Sequence, residues 1–356
     1  MSSGTTKAYI CGIGMVTAVG DNAAMTAASV RAGINRYRES NIINKNLSPM
    51  KLALVPDNIL PPLNKQLSSA AYLTAKQKRM LCLSQLAIDE ALSNIPSELH
   101  APLYIAVSEQ LPDLPPSIRK DFLDHLHIQT NSKFAPDSSI MYTTGRVGGL
   151  IALEAAMITL AQDTYNVVIV GGVDSYLDLM LLGTLDRDDR VSADNVLNGF
   201  TPGEGAGFLI LANQAAVNSL DLHPMATVYS PAITTEPGHR YSSQPFKGEG
   251  LAQAFTLALE DAESPPVKTI FSSLNGENFG AKEYGVAVTR NQTLLDTNVK
   301  LEHPADCFGD IGAAFAPVLL GISAIGMMKS YIESPSLVYT ASEQEYRGAV
   351  VVNLTT

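Results

Sequence analysis

The stretch Ser139–Ser175, SIMYTTGRVGGLIALEAAMITLAQDTYNVVIVGGVDS, decides the fold of this chain. A turn rich in Thr and Gly comes first. The following run places Ile151, Ala155 and Ile158 on one face and carries few charges, which predicts a helix covered on several sides. The β-branched run Val167–Val170, closed by two glycines, is typical of a strand buried on both faces. An enzyme with this frame would carry its nucleophile at the start of the helix, where the helix dipole is positive.

The composition describes a globular protein and excludes several classes of partner. The chain has 356 residues, of which 46% are hydrophobic and 17% charged, enough for two packed units or one large one. Its net charge of -11 argues against nucleic acid, because phosphate binding needs clustered Lys and Arg. No apolar run approaches the roughly 20 residues that cross a bilayer, and the start MSSGTTKAYI has no apolar signal segment. We expect a cytoplasmic protein without membrane insertion.

Neither a metal nor an organic cofactor is expected. Cys11, Cys82 and Cys307 lie far apart and lack the spacing of a metal site, so we interpret them as reduced thiols. The segment GIG at residues 12–14 follows a strand, but Thr17 stands where a dinucleotide fingerprint has its third glycine.

The segment 199–211, GFTPGEGAGFLIL, is the most specific motif of the chain. Its four closely spaced glycines allow close approach of backbones before a strand resumes. Together with the stretch 139–175, it resembles the β-ketoacyl-acyl-carrier-protein synthases of the thiolase superfamily. The resemblance implies an α/β protein with duplicated halves in five layers, α/β/α/β/α, around two central sheets. We place the halves at residues 1–214 and 215–356.

Two helices should form the inner layer of that fold. They run from about Gly148 to Leu160 and from about Gly312 to Met327, and both are rich in small residues that permit close packing. The resemblance also implies a dimer that extends the sheets through edge strands. The strand Asn166–Gly171 lacks charge and would leave an adhesive edge if it were unpaired, which favours association.

The resemblance places the family's catalytic residues at positions that cannot perform its chemistry. The family's Thr-Ala-Cys-Ala matches TTGR at residues 143–146, which puts Gly145 at the nucleophilic cysteine. The two catalytic histidines match Glu277 and Gly309. Decarboxylative condensation needs a thiolate to carry the acyl chain and imidazoles to bind the thioester oxygen. We therefore expect condensing activity to be absent.

The matched positions and their neighbours define a candidate pocket. Its expected residues are Thr143, Thr144, Gly145, Asn275, Glu277, Cys307 and Asp310. Two carboxylates near one pocket can divide into an acid and a base, so a remodelled hydrolase or a ligand site remains an alternative. Cys307 is interpreted as a small buried residue, with a relocated nucleophile as the alternative. Glu204, between Gly203 and Gly205, is interpreted as a structural acid, because the like segment in the family holds loops by hydrogen bonds.

Three functions follow from the resemblance. The first is a non-catalytic partner, similar to the chain-length factors that pair with an active ketosynthase in fatty acid or polyketide biosynthesis. The second is an assembly adaptor, similar to thiolase-like proteins encoded beside type VI secretion effectors. The alternative is an acyltransferase with a remodelled active site. The expected partners are a second copy or an active ketosynthase, with an acyl-carrier protein or a secretion effector as further possibilities.

Overall fold

A computed structural model describes residues 7–69, 72–96, 99–262 and 266–355. The first six residues lie outside the described residues. They make up most of the start MSSGTTKAYI, in which we expected no signal segment. The helices are α1 Ala23–Arg31, α2 Lys65–Ser68, α3 Ala75–Ala91, α4 Phe122–Gln129, α5 Gly148–Ala161, α6 Leu179–Arg187, α7 Gln214–Ser219, α8 Glu249–Asp261, α9 Asn278–Arg290, α10 Ala305–Phe308 and α11 Phe315–Met328. The strands are β1 Lys7–Thr17, β2 Arg38–Ile43, β3 Pro49–Leu52, β4 Pro102–Ala106, β5 Ala135–Tyr142, β6 Val167–Ser175, β7 Glu204–Ala212, β8 Ala226–Tyr229, β9 Ala232–Thr235, β10 Val267–Ser272, β11 Leu295–Glu302, β12 Ser336–Ala341 and β13 Tyr346–Leu354. No described helix has the length and apolar character that crossing a bilayer demands.

Helices α5 and α11 form the inner layer. Each follows a short 3-10 turn, and α11 carries no charged residue. A Cβ added at Gly149 would lie 2.7 Å from the Cβ of Ala316, so the glycine permits the two helices to touch. Helix α11 contacts β7 on one side and β13 on the other. The prediction that these helices share a buried layer is confirmed.

The outer layers complete the predicted α/β/α/β/α arrangement. Helix α3 packs on the far side of β1, β6 and β7, where it closes one apolar core. Helix α8 packs on β9 and β13 and, with α9 against it, closes a second core. The third and largest core surrounds α5 and α11.

The strands form one hydrogen-bonded ladder rather than the two separate sheets expected. Their order is β5-β4-β6-β7-β1-β8-β13-β12-β10-β11, with β9 on β13, while β2 and β3 form a separate hairpin. The short strand β8 joins the halves because Val228 pairs with Ala8 on one side and with Val352 on the other. The boundary predicted between residues 214 and 215 falls at the start of α7, between β7 and β8.

The uncharged strand 166–171 is not an edge. It belongs to β6, where Ile169 pairs with Leu103 of β4 and with Ile210 of β7. Its lack of charge reflects burial between two neighbouring strands, so our expectation of an exposed edge there is wrong. Among the strands that the structure describes, β5 and β11 end the ladder.

Candidate functional site

Gly145 lies in a turn of the N-terminal half that is bound by a residue of the C-terminal half. The chain leaves β5, turns at residues 143–147 and enters α5. Gly145 has a φ of 63°, a conformation that favours glycine. The hydroxyl of Ser342, between β12 and β13, donates to the Thr144 carbonyl (2.5 Å) and accepts from the Val147 amide (3.1 Å). The start of α5 is therefore fastened to the β12–β13 turn.

A network of six charged side chains fills the space beside this turn. Three arginines meet three carboxylates, so the formal charges balance: Arg146, Arg190, Arg240, Glu277, Asp310 and Glu343. All are buried except Arg240, whose side chain is 22% exposed. Buried charges persist only when they are paired, and this network supplies the pairs. We call it the central network.

Glu343 is the hub of the central network. Its Oε1 accepts from Arg146 Nη1 (2.9 Å) and Arg190 Nη2 (2.9 Å), and its Oε2 lies 3.2 Å from Arg240 Nε. Burial alone would raise the pKa of Glu343. The guanidinium of Arg190, followed by those of Arg146 and Arg240, outweighs burial and holds this pKa well below its usual range. Glu343 therefore stays ionised.

The structure brings the side chains of Asn275, Glu277 and Asp310 together. Arg190 binds Glu277 as a fork, with Nε and Nη2 each 2.8 Å from a different carboxylate oxygen. Asn275 Nδ2 donates to Asp310 (2.8 Å) and to Glu277 (3.1 Å). Asp310 also accepts from Arg146. Both carboxylates are thus bound by arginines, which differs from the free acid and base that a hydrolase needs.

Gly309 does not contribute to this network, although the sequence match placed a catalytic position there. Its φ is 76°, and a Cβ added to it would lie 2.7 Å from the carbonyl oxygen of Thr201. The next residue, Asp310, carries the side chain that reaches Arg146 and Asn275. The side chain that enters the network from this turn is therefore that of Asp310, one residue after the matched position.

Glu204 forms a second, separate cluster. Its carboxylate accepts from the Val55 amide (2.8 Å) and the Ser175 hydroxyl (2.8 Å), and from Arg79 Nε (2.6 Å) and Nη2 (2.7 Å). These bonds join β7 to α3, to the end of β6 and to the segment after β3. The interpretation of Glu204 as a structural acid stays a prediction, and these contacts are consistent with it. Gly203 leaves room for the Phe308 carbonyl oxygen, which a Cβ would approach to 2.5 Å, and Gly205 pairs with Thr17 in the ladder.

A cavity of about 190 Å³ opens beside Gly145. Its walls include Leu111, Leu114, Met180 and Leu181, and its floor includes Lys76, Ser108, Glu109 and Asp174. Lys76 Nζ lies 3.2 Å from Asp174 Oδ1, and Ser108 donates to the same oxygen. In the part of the chain that the structure describes, neither a histidine nor a cysteine lines this cavity.

Glu109 occupies the place that a side chain at position 145 would need. A Cβ on Gly145 would lie 2.8 Å from Glu109 Oε2. Burial, with the negative charge of Glu343 as the next contribution, raises the pKa of Glu109 to about 7. Sequence reasoning missed Glu109, because an acid after a buried strand has no distinctive pattern. It also missed Arg146 and Arg190, although an arginine at the start of an otherwise apolar helix signals a buried partner.

Of the seven predicted pocket residues, only Gly145 lines this cavity. Asn275, Glu277 and Asp310 bond to one another outside it, and the other three lie elsewhere. Thr143 is exposed, and the Thr144 hydroxyl is buried without a hydrogen-bond partner. Cys307 lies in the core around α5 and α11, where burial, with the nearby Asp306 and Glu302, raises its pKa to about 11. Such a thiol is a poor nucleophile at neutral pH. Within the ranges described, no group of three or more potential ligands is arranged around a metal position.

Comparison with known proteins gives relatives of one kind. No protein-family model matches the chain. It is 26% identical over 160 residues to a putative polyketide beta-ketoacyl synthase 1 of Streptomyces virginiae. It is 27% identical over 223 residues to the actinorhodin polyketide putative beta-ketoacyl synthase 2 of Streptomyces coelicolor. These alignments cover 42% and 56% of this chain but only 37% and 51% of the relatives, so the match spans about half of their length or less.

Solved ketosynthase structures share the fold over nearly the whole chain. A chain from the complex of a type II PKS acyl-carrier protein with its ketosynthase bound to the hexaketide matches with a TM-score of 0.78 and 15% identity, covering 99% of this chain and 100% of that one. The ishigamide ketosynthase/chain length factor matches with a TM-score of 0.77 and 13% identity, with the same coverage. The ketosynthase from module 6 of the bacillaene synthase of Bacillus subtilis 168 matches with a TM-score of 0.80 and 13% identity, covering 98% of this chain and 72% of that one. The fold is therefore that of the solved ketosynthases, and the two relatives by sequence are named as polyketide beta-ketoacyl synthases.

Proposed function

We propose that this chain is a ketosynthase-fold protein without condensing activity that works as a non-catalytic partner. One observation carries the proposal. In the turn that would present a nucleophile, the residue at the nucleophile's position is Gly145, and the side chain of Glu109 fills the adjacent space. A covalent acyl intermediate needs a nucleophile with an activating base, and the acids of the central network are bound by arginines instead.

Intact-mass spectrometry after incubation with an acyl-carrier thioester tests the absence of an acyl intermediate. The unaltered protein should keep its mass. The variant Gly145→Cys should become acylated slowly at most, because no imidazole stands beside the new thiol and Glu109 crowds it. A stable adduct on the unaltered protein would overturn the proposal, and an adduct on Cys307 would assign the nucleophile there.

The partner that we propose is an active ketosynthase, bound through the edge strand β5. This strand has a neighbour on one side only, and its Ile140 side chain is 42% exposed. An open edge is a template for strand addition, which would extend the ladder across a two-fold axis. The similarity to a ketosynthase/chain length factor supports a pair of unlike chains, and a second copy of this chain is the simpler form. A partnership with an acyl-carrier protein follows by the same analogy with the carrier-bound ketosynthase.

Light scattering on the protein alone, and on the protein co-expressed with a ketosynthase, distinguishes these assemblies. Ile140→Lys should abolish association through β5, because a charge at an edge blocks strand addition. Ile43→Lys, at an isoleucine on β2 whose side chain is also exposed, is the matched control and should associate normally. A monomer that ignores every ketosynthase tested but binds a secretion effector would favour the adaptor over the chain-length-factor-like role. Both roles are proposed for the cytoplasm, where the three unpaired cysteines would stay reduced.

An acyltransferase with a remodelled site is the second candidate, and the cavity beside Gly145 supports it. Glu109 lies on its floor with a pKa raised to about 7, a value suited to proton transfer near neutral pH. This alternative predicts thioester cleavage that Glu109→Gln abolishes. The absence of any turnover would reject it.

A further inference from the structure

The β12–β13 turn presents two backbone amides to one carboxylate. The amide of Glu343 donates to Glu109 Oε2 (2.9 Å), and the amide of Gln344 donates to Glu109 Oε1 (2.9 Å). Gln344 Nε2 adds a third bond to Oε1 (3.2 Å). Successive amides that point into one concave space form an anion-binding nest. Here the anion belongs to the chain itself.

The nest opens onto the cavity beside Gly145. Both Glu109 and Glu343 line that cavity, so a molecule entering it would reach the amides if the Glu109 side chain were absent. The lack of a side chain at Gly145 leaves room for the carboxylate, since a Cβ there would lie 2.8 Å from Oε2. Gln344 also holds the backbone of the segment that carries Glu109, because its Nε2 donates to the Gln110 carbonyl at 2.8 Å.

We propose that the amides of Glu343 and Gln344 form a binding site for a small carboxylate, which the chain closes by inserting its own Glu109. Glu109 is an internal ligand, and the site accepts a free monocarboxylate when that side chain is shortened. This inference goes beyond the non-catalytic role, because the nest would bind an anion whether or not the protein assembles with a ketosynthase.

The number of atoms removed from the Glu109 side chain sets the size of the acid that the site should accept. Glu109→Ala removes a CH₂–COO⁻ group and leaves space for acetate, whereas Glu109→Gly removes one more carbon and leaves space for propionate. Each acid restores the lost hydrogen bonds without a covalent link. Glu109→Gln keeps the volume filled and should bind neither acid. Glu154→Ala removes a carboxyl on α5 that does not line the cavity, and it serves as a control for general effects of acetate.

Thermal unfolding in sodium acetate, sodium propionate and sodium chloride at equal ionic strength tests the site. Glu109→Ala should gain about 2 °C or more in Tm at roughly 100 mM acetate relative to chloride, if the dissociation constant is about 10 mM. Glu109→Gly should respond more to propionate than to acetate. The unaltered protein, Glu109→Gln and Glu154→Ala should not respond. A folded Glu109→Ala protein that ignores acetate, or an unaltered protein that responds equally, would overturn the proposal.

If Glu109→Ala fails to fold, a second measurement on Glu109→Gln tests the proposal instead. Exchange of the carboxylate for an amide in Glu109→Gln weakens the hydrogen bonds at the nest, so the amide proton resonances of Glu343 and Gln344 should move upfield in the NMR spectrum. The amide of Gly312, which donates to Asp310 at 2.9 Å, is the internal reference and should stay in place. Unchanged resonances at both nest amides would refute the internal ligand.

Discussion

Two buried acids, Glu204 and Glu343, lie in clusters that differ in the groups that bind the carboxylate. Glu204 meets one arginine and has two neutral donors, the Val55 amide and the Ser175 hydroxyl. Glu343 meets three arginines. The first cluster belongs to the glycine-rich motif that the fold requires. The second fills the place where the resemblance put chemistry.

The difference separates a cluster that joins loops from one that neutralises buried charge. The Glu204 carboxylate joins three segments through a backbone amide, a hydroxyl and the Arg79 guanidinium. The central network instead consists of mutually neutralising charges. The comparison predicts that the central network is the more fragile of the two, because removal of its hub Glu343 leaves three arginines facing only two carboxylates.

The largest effect should follow from Glu343→Ala. This substitution leaves Arg146, Arg190 and Arg240 facing one another with less compensation, and we expect the free energy of unfolding to fall by about 4 kcal/mol. Urea denaturation measures it. The control Glu249→Ala breaks an exposed contact with Arg290 and should cost less than about 0.5 kcal/mol. Equal values for the two variants would show that the network contributes nothing.

Glu204→Ala should cost somewhat less, about 3 kcal/mol by the same measurement. Arg79 would keep Asp57 and the Val55 carbonyl as partners, so its charge would not be stranded. The surface control is Glu333→Ala, which removes an exposed pair with Lys268 and should be close to neutral. A cost above that of Glu343→Ala would reverse the ranking of the two clusters.

Glu109 should make stability depend on pH. Its pKa is raised from 4.5 to about 7, so the folded protein holds this proton more tightly than the unfolded chain does. The stabilisation is complete below about pH 4.5 and is lost as the pH rises through about 7. With allowance for partial exposure, the unaltered protein should lose about 2 kcal/mol over this window relative to Glu109→Gln. Urea denaturation from pH 4 to pH 8 measures the difference, and parallel curves would contradict the raised pKa.

The smallest effect should come from Gly145→Ala, at about 1 kcal/mol. Part of this cost is the positive φ, and part is the contact of the new Cβ with Glu109. The double variant with Glu109→Ala should recover only the second part, so the two changes should couple by about 0.5 kcal/mol in a double-mutant cycle. Strict additivity would mean that Glu109 does not occupy the space beside Gly145.

The sequence predicted the elements that are buried and apolar. The two inner helices and β6 consist mostly of apolar residues, which leave little choice of environment. It did not predict β5, APDSSIMY, because an edge strand with a neighbour on one side can remain polar. It also missed α9, whose Gly280 and Gly285 lower the helix propensity, together with β9, β11 and β12.

The candidate site was predicted only where its members lie in recognisable turns. Asn275 and Glu277 were found because they follow β10 in a segment that the resemblance marks, and Asp310 because it adjoins the marked position Gly309. Their arginine partners come from the turn before α5, from the segment after α6 and from the irregular stretch before α8. Long-range ion pairing has no local signature, so the sequence showed the acids without showing what neutralises them.

The position of β8 bears on how the molecule is made. Val228 can pair with Ala8 as soon as both have left the ribosome, but its other neighbour, Val352, is synthesised much later. Until then β8 exposes a bare edge in the nascent chain, and the inner helix α5 lacks α11 as its cover. The ladder that joins the halves can therefore be completed only after Val352 has been synthesised, and a nascent chain that lacks it exposes unpaired strand edges and apolar surface.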